Sequence, residues 1–229
     1  MATATDVPGP AATLQPVRRP LLLSVVLLLF ASAPAEAAFS YSISKITPTV
    51  KKRINGNSWH ENCPVSLANL RYVRVRYRNF DRHQRTGELI VNRDVAGAIV
   101  RVFRRLYAND YRIRRMRLVD DYGASDFRSI EADNTSAFNC RYVDGTTRWS
   151  NHAFGRAVDV NPIENPYVTG SGTTSHAASR RYVDRSSRRH RAMILRGDRT
   201  VRAFRAQGWG WGGKFSGAHD YQHFSANGR

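Results

Sequence analysis

Ser150-Asn151-His152-Ala153-Phe154-Gly155-Arg156-Ala157-Val158-Asp159 places a histidine and an aspartate seven positions apart. A loop that carries the histidine and a strand that carries the aspartate can bring both side chains to one point. Gly155 permits the tight backbone path between them. Imidazole nitrogen and carboxylate oxygen are ligands that zinc takes at about 2.0–2.2 Å. Farther on, Asp220-Tyr221-Gln222-His223 adds a second histidine with an acid three residues ahead of it. Three protein ligands, His152, Asp159 and His223, leave a fourth coordination position open, as in catalytic rather than structural zinc sites. Asp220 is then the spare carboxylate, able to act as the base that moves protons. Singly, each residue also has an ordinary reading. A histidine is usually a surface or satisfied core residue, and an aspartate near Asn161-Pro162 is usually a turn former. The helix-borne His-Glu-x-x-His signature is absent, which excludes that class of metalloprotease chemistry.

Around this stretch the pattern predicts an α+β domain. Apolar residues alternate with Arg74 and Arg76 from Val73 to Tyr77, the two-residue period of a half-buried strand. Gly87 to Val91 reads as a second strand, with a turn-rich loop between the two, so the pair forms a hairpin. Asp94 is placed to cap a helix whose apolar stripe is Val95, Ile99, Val102, Phe103 and Leu106. Ile113 to Val119 reads as a further strand, and 120 to 148 as one long polar loop. Ala157 to Val160 is a short strand. Gly170 to Arg191 reads as an exposed excursion, Asp198 to Gln207 as a helix ended by Gly208, and Tyr221 to Phe224 as the last strand. The expectation is a small, mostly antiparallel sheet carrying the site, with helices on one side. No internal repeat or second domain is apparent.

Residues 1–37 read as a secretory signal peptide. Arg18-Arg19 precede an apolar run from Leu21 to Ala31, too short to span a bilayer comfortably, and Ala35-Glu36-Ala37 is a small-x-small cleavage pattern. An uncleaved anchor is the competing reading. Residues 38–58 read as a polar lead-in to a domain over 59–229. The net charge is +18, and Arg18 and Arg19 are cancelled by Asp6 and Glu36, so the mature domain carries the whole excess. Such a surface adheres to polyanions, and for an exported protein those are anionic cell-envelope polymers. No zinc-finger spacing, RNA-recognition aromatic motif or basic zipper helix supports a specific nucleic-acid partner. Cys63 and Cys140 are the two cysteines of the chain, which in an exported protein predicts one disulfide rather than two free thiols. Closing that loop contributes about 4–5 kcal/mol in the chain-entropy model.

Ser150-x-His152-x-x-Gly155-x-Ala157-x-Asp159, followed in order by Trp209-Gly210-Trp211-Gly212-Gly213 and Asp220-Tyr221-Gln222-His223-Phe224, resembles the D-alanyl-D-alanine metallocarboxypeptidase family, which includes L-alanyl-D-glutamate endopeptidases. The resemblance implies a hedgehog/D-Ala-D-Ala-peptidase-like fold and a zinc ion held by His152, Asp159 and His223, with Asp220 as general base. It implies action on peptidoglycan stem peptides, and a monomer is expected. An arginine upstream of the first motif would bind substrate carboxylate or the oxyanion, and Arg141 is the candidate, with a plain surface arginine as the alternative. Ser150 and Trp211 are candidate substrate contacts, while turn formation and core packing are their competing roles. Trp209 has the same two readings, and His219 sits beside the base. Carboxypeptidases of the family often carry glutamate where Asp220 stands, so an aspartate leans toward the endopeptidase branch. A module of the same fold that holds zinc and binds wall without cutting it is the alternative.

Overall fold

In a computed structural model of the chain, the alternating stretch is the centre strand of an antiparallel sheet. The structure describes residues 1–3, 9 and 38–228. The signal-peptide reading otherwise lies outside the described residues. The sheet has the order β1 (Tyr41–Lys45), β2 (Leu70–Arg78) and β3 (Gln84–Asn92), and α1 (Pro48–Ile54) lies between the first two in sequence. The hairpin reading holds, with Val73 opposite Leu89 and Tyr72 opposite Ile90. The segment read as a lead-in before the domain is corrected. It supplies β1 and α1, because Val50 and Ile54 of α1 are buried.

Alternation along this sheet serves two apolar layers rather than one. Val73, Val75, Leu89 and Val91 face α2 (Ala96–Ala108), whose Ile99, Val102, Phe103 and Leu106 form the predicted stripe. Leu70 and Ile90 face the other way, onto Val50 and Ile54 of α1, Phe138 and Cys140. The Cys63–Cys140 disulfide closes this second layer. Helices therefore lie against both faces of the larger sheet. Asp94 does not cap α2; its carboxylate pairs with Arg156.

Past α2 the chain makes β4 (Arg115–Met116), α3 (Asp126–Glu131) and β5 (Asn134–Thr135). The strand expected over 113–119 shrinks to the two residues of β4, paired parallel with β5. The stretch read as a loop contains α3, which begins where the Ser125 hydroxyl accepts a hydrogen bond from the Arg128 amide at 3.3 Å. Then follow β6 (Ala157–Asp159), β7 (Tyr167–Val168), α4 (Arg199–Arg205), β8 (Gly210–Trp211), β9 (His219–Asp220) and β10 (His223–Ser225). Strands β6, β10 and β8 form a second antiparallel sheet in that order. Its inner face is Val158, Trp211 and Phe224. The Phe224 ring lies flat on Phe204 of α4, centroids 3.8 Å apart. The supposed excursion is partly core, since Tyr182 packs with Ile163 and Met193. Among the described residues no helix is long and apolar enough to cross a membrane.

Candidate metal centre

Asp159 ends β6 and His223 begins β10, and the antiparallel register sets them directly opposite each other. One residue away, Val158 opposes Phe224 in the core. The two-residue period therefore turns the Asp159–His223 pair to the other face of the sheet. His152 arrives from a single 3₁₀ turn, Asn151–Phe154. The Ser150 hydroxyl caps that turn by accepting from the His152 amide at 3.3 Å. Gly155 ends it at φ +66°, where a side chain is strained, and an added Cβ would lie 2.6 Å from the Asn92 nitrogen. That close approach is used. The Asn92 amide donates to the Gly155 carbonyl at 2.8 Å, and the Asn92 side chain donates to the Phe154 carbonyl.

The three side chains converge. His152 Nε2 lies 3.2 Å from Asp159 Oδ2 and 3.2 Å from His223 Nδ1, and His223 Nδ1 lies 3.0 Å from Asp159 Oδ1. One ligand atom from each falls within 4.8 Å of the others, and all three residues are buried. The hydrogen bonding around His152 identifies what the cluster lacks. Its Nδ1 is 2.5 Å from the Ala137 carbonyl, which can only accept, so Nδ1 carries the hydrogen. In the neutral ring Nε2 is then a lone pair aimed at a carboxylate oxygen and a second imidazole nitrogen. Such an arrangement needs a cation at its centre, a proton or a metal. An outer partner that fixes tautomer and ring orientation is the usual support of a metal-ligating histidine. Burial by itself would raise Asp159, but the imidazoles of His152 and His223 outweigh it and hold the carboxyl well below the usual range. The donor set fits zinc.

Asp220 sits on β9, half-buried, and its Oδ1 is buried without a hydrogen-bond partner among the described residues. Its carboxyl is pushed up to about 6, first by burial and then by the charge of Asp159. That suits a group that must both take and give a proton near neutral pH. Arg141 pairs with Asp126 of α3 at 2.7 Å and lies 3.7 Å from Asp144. The Asp126 carboxyl is raised by burial, and it senses Arg141, Asp159 and His152, so this ion pair borders the cluster. Nothing in the sequence reading singled out Asp126 or the Ala137 carbonyl. Ser125-Asp126 falls within the stretch read as a loop, and a backbone oxygen has no sequence signature.

The remaining candidates divide. Ser150 makes the turn bond described above. Trp211 is core: its indole packs on Phe224 while Nε1 donates to the Tyr221 carbonyl at 2.8 Å. Trp209 is core, tilted against Phe204. His219 stacks on Tyr221 and leaves a buried Nδ1 without a partner among the described residues. A second group, His60, Cys63 and Cys140, also brings ligand atoms together, but its sulfurs are joined in the disulfide.

Residues 144–226 match the family model described as D-alanyl-D-alanine carboxypeptidase. The match contains His152, Asp159, Asp220 and His223, so the resemblance read from the two motifs is shown over that stretch. No curated protein and no solved structure matches the chain.

Proposed function

From the match of residues 144–226 to that family, we propose that the chain is a zinc-dependent peptidase that hydrolyses a peptide bond in peptidoglycan stem peptides. The hedgehog/D-Ala-D-Ala-peptidase-like arrangement belongs to the same proposal. The observation that carries it is the convergence of His152, Asp159 and His223 on one point at the end of β6 and β10. Zinc held there supplies Lewis-acid polarisation of the scissile carbonyl and activation of water.

The protein's own residues do the rest. Asp220 takes the proton of the attacking water as the new C–O bond forms. It returns that proton to the departing nitrogen as the C–N bond breaks, so its carboxylate is restored. Ala137, through His152 Nδ1, holds the imidazole in the orientation that keeps Nε2 on the shared point. Arg141, steadied by Asp126, offers a guanidinium for the oxyanion or a substrate carboxylate. The Cys63–Cys140 disulfide supports export, and the net charge of +18 supports adhesion of the monomer to anionic envelope polymers rather than to a specific nucleic acid.

The test is zinc content measured beside the products from a defined muropeptide. One zinc per chain with a new amino terminus in the mass spectrum supports the proposal. Zinc without cleavage indicates the wall-binding alternative, and neither zinc nor cleavage overturns both. The mass of the released fragment separates a terminal D-Ala cut from an L-Ala–D-Glu cut.

A further inference from the structure

One end of the larger sheet is ringed with cations. Lys45 closes β1, Arg71 is the second residue of β2, and Arg93 follows the last residue of β3. With Lys51 of α1 they surround a cavity of about 470 Å³. Ile46, Leu67 and Ala68 supply an apolar wall, and no acid lines it among the described residues. None of His152, Asp159, His223, Asp220 or Arg141 belongs to this lining, so the cavity is distinct from the metal centre.

Its frame is fixed by the backbone. The Arg93 amide donates to the Asn69 carbonyl at 2.7 Å, which ties the end of β3 to the 3₁₀ turn Leu67–Asn69. Arg71 Nη1 donates to the Ala68 and Leu70 carbonyls at 3.0 and 2.8 Å, so its guanidinium is held in place with Nη2 left for a ligand. Lys45 and Arg71 are direct cross-strand partners. Side chains so placed share one face of the sheet, where like charges repel. Elsewhere the protein sets such cations against acids: Arg53 on Glu88 and Asp121, Arg156 on Asp94, Arg141 on Asp126. At the cavity, Lys45, Lys51 and Arg93 are exposed and make no side-chain hydrogen bond or ion pair among the described residues.

An anion between Lys45 and Arg71 turns their repulsion into attraction. Donors that come from two strands, a strand end and a helix suit the several oxygens of a phosphate better than the planar pair of a carboxylate. The cavity is larger than a bare phosphate, and its apolar wall has room for the carbon chain attached to one. A recess also admits a phosphate carried on a flexible chain, whereas a flat bilayer meets only its rim. We propose that Lys45, Lys51, Arg71 and Arg93 form a phosphodiester site that seats an anionic polyol-phosphate polymer. This gives a defined place to the adhesion proposed above from the net charge, and it needs neither zinc nor peptide cleavage.

Calorimetric titration of the full chain with a short glycerol-phosphate oligomer, at physiological ionic strength, tests it. Lys45→Gln/Arg71→Gln and Lys51→Gln/Arg93→Gln should each weaken binding about 10- to 100-fold, as loss of charge-assisted contacts does. The second pair makes no bond to the backbone, so it keeps the test open if loss of the Arg71 bonds impairs folding. Arg199→Gln/Arg205→Gln removes the same charge from exposed positions of α4 and should leave the affinity nearly unchanged. Inorganic phosphate should compete only weakly. Equal weakening in the α4 variant makes the adhesion diffuse and overturns the site, as does full affinity in both cavity variants. Inorganic phosphate that competes as strongly as the oligomer overturns the polymer as ligand. Binding to vesicles of anionic phospholipid but not to the oligomer, lost in the cavity variants, assigns the site to a membrane and overturns the polymer as well. Oligomer binding with the expected losses, in a protein that holds no zinc and cuts nothing, keeps the site while the peptidase reading falls.

Discussion

Two buried acids, Asp159 and Glu164, stand five residues apart along the chain, and their surroundings act on them in opposite ways. At the first, Asp159 lies between His152 and His223 and is held well below the usual carboxyl range despite its burial. At the second, Glu164 and Asp133 are both buried and both raised, Glu164 to about 8, by burial and then by Asp133. His190 is 4.0 Å from Glu164, and Arg114 and Arg115 lie near Asp133, yet none offsets the burial. Charge count alone would not distinguish these clusters. Lone pairs do. The first sets imidazole nitrogens at the carboxylate, one ring fixed from behind by the Ala137 carbonyl, and so calls for a cation. The second sets carboxyl against carboxyl and needs only a proton between them. A buried acid on which neutral donors converge is thus placed to hold a cation, and one set against a second acid is placed to share a proton.

Replacing a donor should break the contrast most severely. His223→Ala should bring bound zinc from about one per chain to near zero and abolish turnover, read by metal analysis and peptide release. Asp220→Ala should keep the zinc and lower kcat by about 10²- to 10⁴-fold, the usual contribution of a positioned base. Equal loss of metal in both variants would erase the distinction between ligand and base.

The second cluster should show itself in stability against pH. Since the Glu164 carboxyl is raised when folded, the native protein keeps a proton that the unfolded chain loses above the ordinary carboxyl value of 4.5. Stability therefore falls as pH rises from there to about 8. The slope is at most about 1.4 kcal/mol per pH unit. Glu164→Gln should flatten that slope in denaturant titrations at several pH values and leave zinc content alone. An unchanged slope would show that the pair does not share a proton. The smallest effect belongs to Ser150. Removing its cap as Ser150→Ala should cost about 1 kcal/mol in thermal unfolding, with a modest loss of zinc affinity because His152 rides on that turn.

Much of the first cluster was legible because its residues come in two short motifs, and each motif is local. The β2–β3 hairpin and the α2 stripe were legible for the same reason, as periods of two and of three to four residues. What escaped depends on distant partners. The polarity of 38–58 conceals α1, since Val50 and Ile54 become core only once Leu70 and Ile90 are beside them. Asp94 has the look of a cap, but Arg156, sixty-two residues away, claims its carboxylate. Asp133 and Glu164 lie on different loops, and neither carries a motif. Asp126 gains meaning only from Arg141.

The hairpin packs on α2 with one face and, at its Leu70–Ile90 end, on α1 with the other, which has a consequence for errors of assembly. A strand with one wet face that slips by one residue exposes its apolar set and is corrected by water. In β2–β3 a one-residue slip of β3 would instead turn Glu88 toward Ile99 and Phe103 and part it from Arg53 and Tyr72. Asn92, at the end of β3, would move with it, and Asn92 is what grips Phe154 and Gly155. The position of His152 is thus inherited from the pairing of two strands that contribute no ligand, and a mispaired hairpin would yield a folded-looking protein with its metal site out of alignment.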